Sequence, residues 1–421
     1  MDFSLSEEQE MLKTMAKDLL EKECTEAVVR ATVRRQEGYS PEVWKKIADL
    51  GWQGIAFPEQ YGGTGGGLID LMVLFEEMGR AMYVSPFMST VVLCGMTILC
   101  AGTEAQKKEF LTKIARGELV IALAMTEPEA TWDGNAWEPV GITTSARASG
   151  DSFIIDGTKV FVHDAHVADY LLVVARTRKA TASPSGGITL FLVDAKSPGI
   201  KYTLLKTMSG NHKQSEVVFN KVKVPAESVV GEVGGGWAPL ERSIKIGAVM
   251  LCAEMVGAGQ KVTELTVDYA KTRIQFDMPI GIHQYVQEHC VRCLAYTDTS
   301  RHTTRQATWL LCEGRPCDLE VAIAKAWTSE GNERINWHSH QVLAGVGSTE
   351  ALGTLPLYTR FGNVSQFYLG SPEHYLRKIA DELENLPAPE KPAGKRLGLW
   401  QPGRKDLPSW DIWREYFEKV D

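Results

Sequence analysis

The sequence predicts an α+β fold in three successive parts, and two changes of hydrophobic period carry that prediction. Apolar residues recur at helical spacing over the first 120 residues, short β-branched-rich runs take over to about residue 235, and the helical period then returns. A chain of 421 residues also exceeds what one ordinary core organises, so the period changes mark domain borders. The expected division is an N-terminal helical domain at 1–120, a middle β-sandwich or barrel domain at 121–235, a C-terminal four-helix bundle at 236–386 and an extension at 387–421.

The first helix starts at Ser6, which with Gln9 forms a capping-box pattern ahead of Met11, Leu12, Met15, Leu19 and Leu20. Ser40-Pro41 opens another helix with proline at its first position, and Gly51 closes it. The glycine-rich stretch Gly62–Gly67 has no Gly-Lys-Ser/Thr after it and no strand pattern before it. It reads as a turn between helices rather than a phosphate loop. Thr103 and Gln106 cap a further helix that ends near Gly117.

In the middle region Val120–Met125, Phe153–Ile155, Val160–Val162, Tyr170–Ala175, Ile188–Val193 and Glu216–Phe219 read as strands, with Gly150-Asp151 and Asp156-Gly157 as turns. Four long helical segments follow, Leu240–Arg273, Ile282–Leu311, Leu319–Leu343 and Leu357–Leu383, the number an antiparallel bundle needs. Beyond Pro387 the composition shifts to Pro, Lys and Gly, the pattern of a tail that is either disordered or packed over a neighbour, and Trp400, Trp410 and Trp413 favour docking.

Composition removes several function classes. A net charge of −8 with no basic face argues against nucleic acid as a partner. The longest apolar runs, such as Val91–Leu99, are interrupted by Cys and Gly and are too short for a bilayer, so no membrane insertion is expected. Met1-Asp2-Phe3-Ser4 lacks the layout of a signal peptide, and a cytoplasmic location is the simplest expectation. Cys290-x-x-Cys293 and Cys312-x4-Cys317 have the spacing of a two-pair zinc site, but the first pair falls inside a helical run, where it reads as semi-buried packing. His338 and His340 are two apart on a helix and point to different sides. No metal is expected.

Four motifs carry chemistry. They are Ala124-Met125-Thr126-Glu127-Pro128, Gly157-Thr158-Lys159-Val160-Phe161-Val162, Tyr269-Ala270-x-x-Arg273-x-x-Phe276 continuing to Gln284, and Gln341-Val342-Leu343-Ala344-Gly345-Val346-Gly347. Each alone is weak, but in this order, on a helical–β–bundle layout over residues 3–385, they resemble the FAD-dependent acyl-CoA dehydrogenases. The resemblance implies FAD contacts at Met125, Thr126, Trp132, Phe161, His163, Arg273, Phe276, Gln284, Gln341, Gly345 and Ser371, the bundle segment reaching the FAD of a neighbouring subunit. Arginine suits a pyrophosphate through charge-assisted, often bidentate bonds, as expected of Arg273. Thr126 at a strand end can donate to the flavin ring, and Phe161 offers it an aromatic face.

The implied reaction removes two hydrogens from an acyl-CoA thioester, with FAD performing the redox step and the protein supplying position and a base. The implied partners are an acyl-CoA substrate, an electron-transfer flavoprotein as acceptor, and further subunits in a homotetramer or a heterotetramer with a homologous chain. The stretch Pro86–Leu99 resembles the branch that handles bulky or cyclic acyl groups.

The match breaks where the base belongs. Tyr368-Leu369-Gly370 stands where the family commonly has Tyr-Glu-Gly, and leucine cannot take a proton. The second family location for the base, found by spacing back from Gly257 and Arg273, falls on Gly247, followed by Ala248 where a substrate-binding arginine often stands. Thr131-Trp132-Asp133 replaces the usual Gly-Ser-Asp, and His163 takes the place of a threonine. Glu373, one helical turn beyond Leu369, serves better as a helix N-terminal charge, and Glu241 faces elsewhere. The catalytic residue is unassigned. Three readings stay open: a dehydrogenase with a displaced base, a flavoprotein with another role such as a base-less partner subunit, and a scaffold without FAD.

Overall fold

The computed structural model describes residues 4–130, 136–179, 183–209, 212–349 and 354–384. Trp132 and the 387–421 extension with its three tryptophans lie outside the described residues. Met1–Ala380 make one compact unit; of the other, Asp381–Asp421, only the end of a helix is described.

Helices α1 (Glu7–Glu23), α2 (Glu26–Arg34), α3 (Pro41–Asp49) and α4 (Leu68–Arg80) build the N-terminal part. The capping box of Ser6 and Gln9 is formed, and the Ser40 hydroxyl accepts from the N–H of Val43 at the head of α3. A π-helical segment, Met88–Gly95, runs directly into α5 (Met96–Ala101). The expected Thr103 helix is present but divided into α6 (Glu104–Gln106), a π-helical stretch Lys107–Leu111 and α7 (Thr112–Ala115).

The middle part contains β1 (Ile121–Ala124), β2 (Ser145–Ala148), β3 (Ser152–His163), β4 (Tyr170–Arg176), β5 (Ile188–Asp194), β6 (Ile200–Leu205), β7 (Gln214–Pro225) and β8 (Val229–Val230). They form one sheet in the order β6-β7-β3-β2-β4-β5-β8, with β1 also paired to β4. A single residue pair, Ser145 with Arg176, joins β2 to β4. Ile155, Val217 and Phe219 from one half share an apolar core with Leu171, Val173 and Phe191 from the other, so the halves face each other as in a sandwich.

Two strand expectations need correction. Asp156-Gly157 is not a turn between two strands. It is a β-bulge inside the single strand β3, where the register with β7 shifts and a Cβ on Gly157 would lie 2.5 Å from the Thr144 hydroxyl. Strands β2, β6 and β8 had no period signal: Ser-Ala-Arg-Ala has no β-branched residue, β6 is a half-exposed edge, and β8 has two residues.

The C-terminal part holds α8 (Trp237–Thr272), a two-stranded hairpin of β9 (Ile274–Gln275) and β10 (Met278–Pro279), α9 (Gln284–Cys312), α10 (Asp318–Ser348), α11 (Leu355–Phe367) and α12 (Pro372–Glu384). The fourth segment expected from the sequence, Leu357–Leu383, is therefore two helices. The break falls at Tyr368–Ser371, where Leu369 has φ +61° and Gly370 φ +118°, ahead of Pro372. Among the described residues no helix is long and apolar enough to cross a membrane.

Candidate active site

The Met125–Glu127 loop is fixed to β3 by a buried ion pair. Lys159 Nζ, fully buried, lies 2.6 Å from Glu127 Oε1 and donates to the Met125 carbonyl at 2.9 Å. Glu127 also accepts the N–H groups of Thr143 and Thr144 at 2.9 and 3.0 Å. Burial pushes its carboxyl up, but Lys159 and these donors hold it below its ordinary value. Glu127 is thus a structural hub of the motif. The Thr126 hydroxyl donates to the Val160 carbonyl, so its proton is engaged within the chain and only its lone pairs face outward chemistry.

Phe161 protrudes from the same strand, 37% exposed and with φ +54°, an uncommon backbone state for a bulky residue. Its neighbour Val162 is buried, so the strand bulges to present one aromatic face. His163 is buried and stacked on Tyr368, with ring centroids 3.8 Å apart and planes 11° apart. Gln214 Nε2 lies 2.8 Å from His163 Nε2, so that nitrogen accepts and the ring proton sits on Nδ1. Burial, with His212 nearby, holds His163 well below the usual histidine range, so it stays neutral rather than titrating near neutrality.

The two positions where a base was sought meet at one corner. A Cβ placed on Gly247 would lie 2.7 Å from Leu369 Cδ1, 2.9 Å from Leu93 Cδ2 and 3.6 Å from Met88 Sδ. Leu369 is fully buried, and its carbonyl accepts the Tyr375 hydroxyl at 2.8 Å. Leucine thus occupies the volume that an acid from either position would use, and it needs glycine opposite. Neither alternative acid reaches the corner: Glu373 is exposed in the first turn of α12, and Glu241 is 3.9 Å from Lys245. Ser371, expected at the cofactor, uses its side chain to accept the His374 N–H at the start of α12.

Behind this corner lies a polar cluster that sequence reasoning missed. Lys325, fully buried on α10, donates to the carbonyls of Ser365 and Gln366 at 2.9 and 2.7 Å, capping α11 just before Tyr368. Burial pushes its ammonium down to about 8. Glu254 on α8 accepts the Ser365 hydroxyl, and burial pushes its carboxyl up to about 7 against the opposing effects of Ser365 and Lys325. One acid within the apolar run Ala248–Val256 was the available signal.

The remaining expected residues sit elsewhere. Arg273 ends α8, Phe276 is 84% exposed in the adjoining hairpin, and Gln284 begins α9. Gln341 and Gly345 lie on α10, the first exposed and the second beside a break at Ala344 with φ +50°. The contact of His289 with His338, 2.7 Å between Nδ1 atoms, places the start of α9 beside this end of α10. Arg273 lies twenty-six positions beyond Gly247 along α8, about 39 Å along the axis at about 1.5 Å per residue. The structure therefore brings the expected residues together as two groups, not one.

Residues 6–118 match the acyl-CoA dehydrogenase N-terminal domain, 122–222 the middle domain and 234–384 the C-terminal domain. Acyl-CoA dehydrogenase FadE12 of Mycobacterium tuberculosis is 32% identical over 77% of this chain and 83% of its own length. The chain belongs to the acyl-CoA dehydrogenase family. It is an acyl-CoA dehydrogenase-like oxidoreductase, of the class that acts on CH–CH groups. The 3-(aryl)acrylate reductase of Clostridium sporogenes is 29% identical over 90% of this chain and 99% of its own. Among solved structures, the ChsE4-ChsE5 complex from Mycobacterium tuberculosis contains a chain that superposes with a TM-score of 0.82. That chain is 26% identical, with 92% of this chain and all of that one covered.

Proposed function

We propose that this protein is an FAD-dependent enzyme that desaturates the α–β bond of a CoA thioester with a bulky, cyclic or branched acyl group. We further propose that its base lies at neither 369 nor 247. The observation that carries this reading is the contrast within one site: the Met125–Glu127 loop is tied to β3 by a buried ion pair, whereas Leu369 and Gly247 close the corner where a base belongs.

The residues present fit FAD. Phe161 is left exposed on an otherwise buried strand end, next to Thr126, and supplies an aromatic wall for a flat ring. His163 keeps a neutral imidazole with Nδ1–H as a donor. At the far end of the bundle, Arg273 supplies a cation for a pyrophosphate, with Gln284, Gln341 and Gly345 for the adenosine end. When bound, FAD supplies a two-electron acceptor for the β-hydrogen.

The distance along α8 from Gly247 to Arg273, about 39 Å, supports an assembly in which one chain holds the flavin ring and a second chain's Arg273 end holds the pyrophosphate. Ile274, Phe276, Met278, Ile282 and Tyr285 are all exposed around that end, an apolar patch of the kind that marks a protein interface. A homotetramer, or a heterotetramer with a homologous subunit, satisfies this. The similarity to a chain of a two-component complex favours the heteromeric form as a second reading, with this chain as the base-less partner. The reductase relative shows that a protein of this build can also be named for the reverse direction. An electron-transfer flavoprotein is the proposed acceptor.

The test is direct. The purified chain is expected to carry the visible absorbance of oxidised flavin and to bleach anaerobically with 3-phenylpropionyl-CoA or an alicyclic acyl-CoA faster than with butyryl-CoA. Bleaching only on co-expression with a homologous subunit would select the partner reading. A colourless protein that refuses added FAD would overturn both.

A further inference from the structure

Between the strand that carries His163 and the π-helical segment Met88–Gly95 stands a carboxylate with no task in the site described so far. Asp164 follows His163 at φ +61°, a state that Asp and Asn tolerate better than most residues. Its N–H donates to the Lys213 carbonyl at 3.0 Å, and its Oδ2 accepts the Ser89 hydroxyl at 2.6 Å. Ser89 adjoins Met88 and lies one turn before Leu93, the two side chains that join Leu369 around Gly247. On the opposite side, the His163 ring stacks on Tyr368, the residue before Leu369. Two independent connections therefore bring Asp164 to the edge of the corner that lacks an acid. The residue as a whole is half-buried, with its carboxyl on the buried side against Ser89.

We propose that Asp164 is the base that takes the α-proton of the thioester, in place of an acid at 369 or 247; this rests on the thioester reading above. The α C–H bond breaks, the proton passes to a carboxylate oxygen of Asp164, and the electron pair stays on the α-carbon, delocalised into the thioester carbonyl. Nothing is oxidised in this step, so its reversal with a deuteron from solvent is hydrogen exchange at the α-carbon.

The electrostatics suit the task. Burial pushes the Asp164 carboxyl up to about 7, with the Ser89 bond pulling it down. The titratable groups around it are Tyr39 ahead of α3, Cys94 on the π-helical segment and Tyr368 in the turn; burial raises all three above their ordinary values, and the Asp164 charge adds to it. His163, beside it on β3, is held low. Of this set, Asp164 is the group that changes charge near neutral pH.

The experiment uses the full FAD-loaded chain with 3-phenylpropionyl-CoA in D2O. Thioester binding is read from the perturbed flavin spectrum and α-exchange by NMR. Asp164→Asn keeps the shape and tolerates the same backbone state. It should retain binding and lose exchange by about 100-fold or more. Wild-type exchange should rise with pH through about 7, and Ser89→Ala should move that midpoint upward, which gives a second readout even where Asp164→Asn folds poorly.

Wild-type exchange in Asp164→Asn with binding intact, or an unmoved midpoint in Ser89→Ala, overturns the assignment while the thioester reading stands. Absence of flavin and of any response to the thioester overturns the reading and the assignment together.

Discussion

The wall proposed for the flavin and the corner proposed for the acyl group sit in one site but are held by opposite means. The wall is organised by charge: Lys159 and Glu127 are buried together, and backbone N–H and carbonyl groups complete their hydrogen bonds. The corner is organised by shape: Leu369 fills the space against Gly247, Leu93 and Met88. A buried ion pair fails badly when one member is lost, because the other is left charged in a poor dielectric. A packed apolar corner tolerates changes that preserve volume and resists those that do not. The wall therefore constrains residue chemistry, whereas the corner constrains residue size.

The largest expected effect lies in the wall. Lys159→Met strands Glu127 and should cost about 3–5 kcal/mol, read from urea unfolding. The double change Lys159→Met with Glu127→Leu removes both charges and should recover much of that loss. A double variant no more stable than the single one would mean that the surrounding bonds to Thr143 and Thr144, not the pair, hold the loop.

The corner should respond through volume. Leu369→Ala leaves a cavity and should cost about 2–5 kcal/mol, and Gly247→Ala overpacks it at about 1–3 kcal/mol. Combined, the methyl added on α8 by Gly247→Ala enters space that the leucine side chain has vacated, so the double variant should be more stable than the sum by at least about 0.5 kcal/mol. Strict additivity would show that the two residues do not share the corner.

The same contrast explains what was legible in the sequence. The place of the wall was readable because Ala124–Pro128 and Gly157–Val162 resemble the family's motifs, whereas the ion pair of Glu127 with Lys159, 32 positions apart, was not legible in either run. The layout was readable because the period of apolar residues changes twice. The split of the fourth bundle segment was hidden, since Leu357–Leu383 keeps a helical period across the turn at Leu369. Strand β2 was hidden because it has four residues and no β-branched side chain. At the corner the sequence showed which residues were missing but not what replaced them. Asp164 lies in no periodic pattern, and its bond to Ser89 joins positions 75 residues apart. Lys325 and Glu254 are likewise brought together by Ser365, near the end of α11 and far from both in sequence.

The smallest effect expected is also the one that separates support from chemistry. Glu254 lies behind the corner, hydrogen-bonded to Ser365, with its carboxyl raised by burial to about 7. Because the folded value lies above the unfolded one, the folded state binds the proton more tightly. The burial penalty is fully present above pH 7 and is relieved as pH falls through that value toward the ordinary carboxylate range. Glu254→Gln removes the charge and keeps an acceptor for Ser365, so its stability relative to wild type should be greater at about pH 7.5 than at about pH 5, by about 1–2 kcal/mol. Lys325, lowered only to about 8, remains largely charged at both values and drops out of the comparison. Urea midpoints for the two proteins at the two pH values decide it. A difference that does not change with pH would mean that the Glu254 carboxyl is ionised in the folded and the unfolded protein at both values, and that its burial carries no proton-linked penalty.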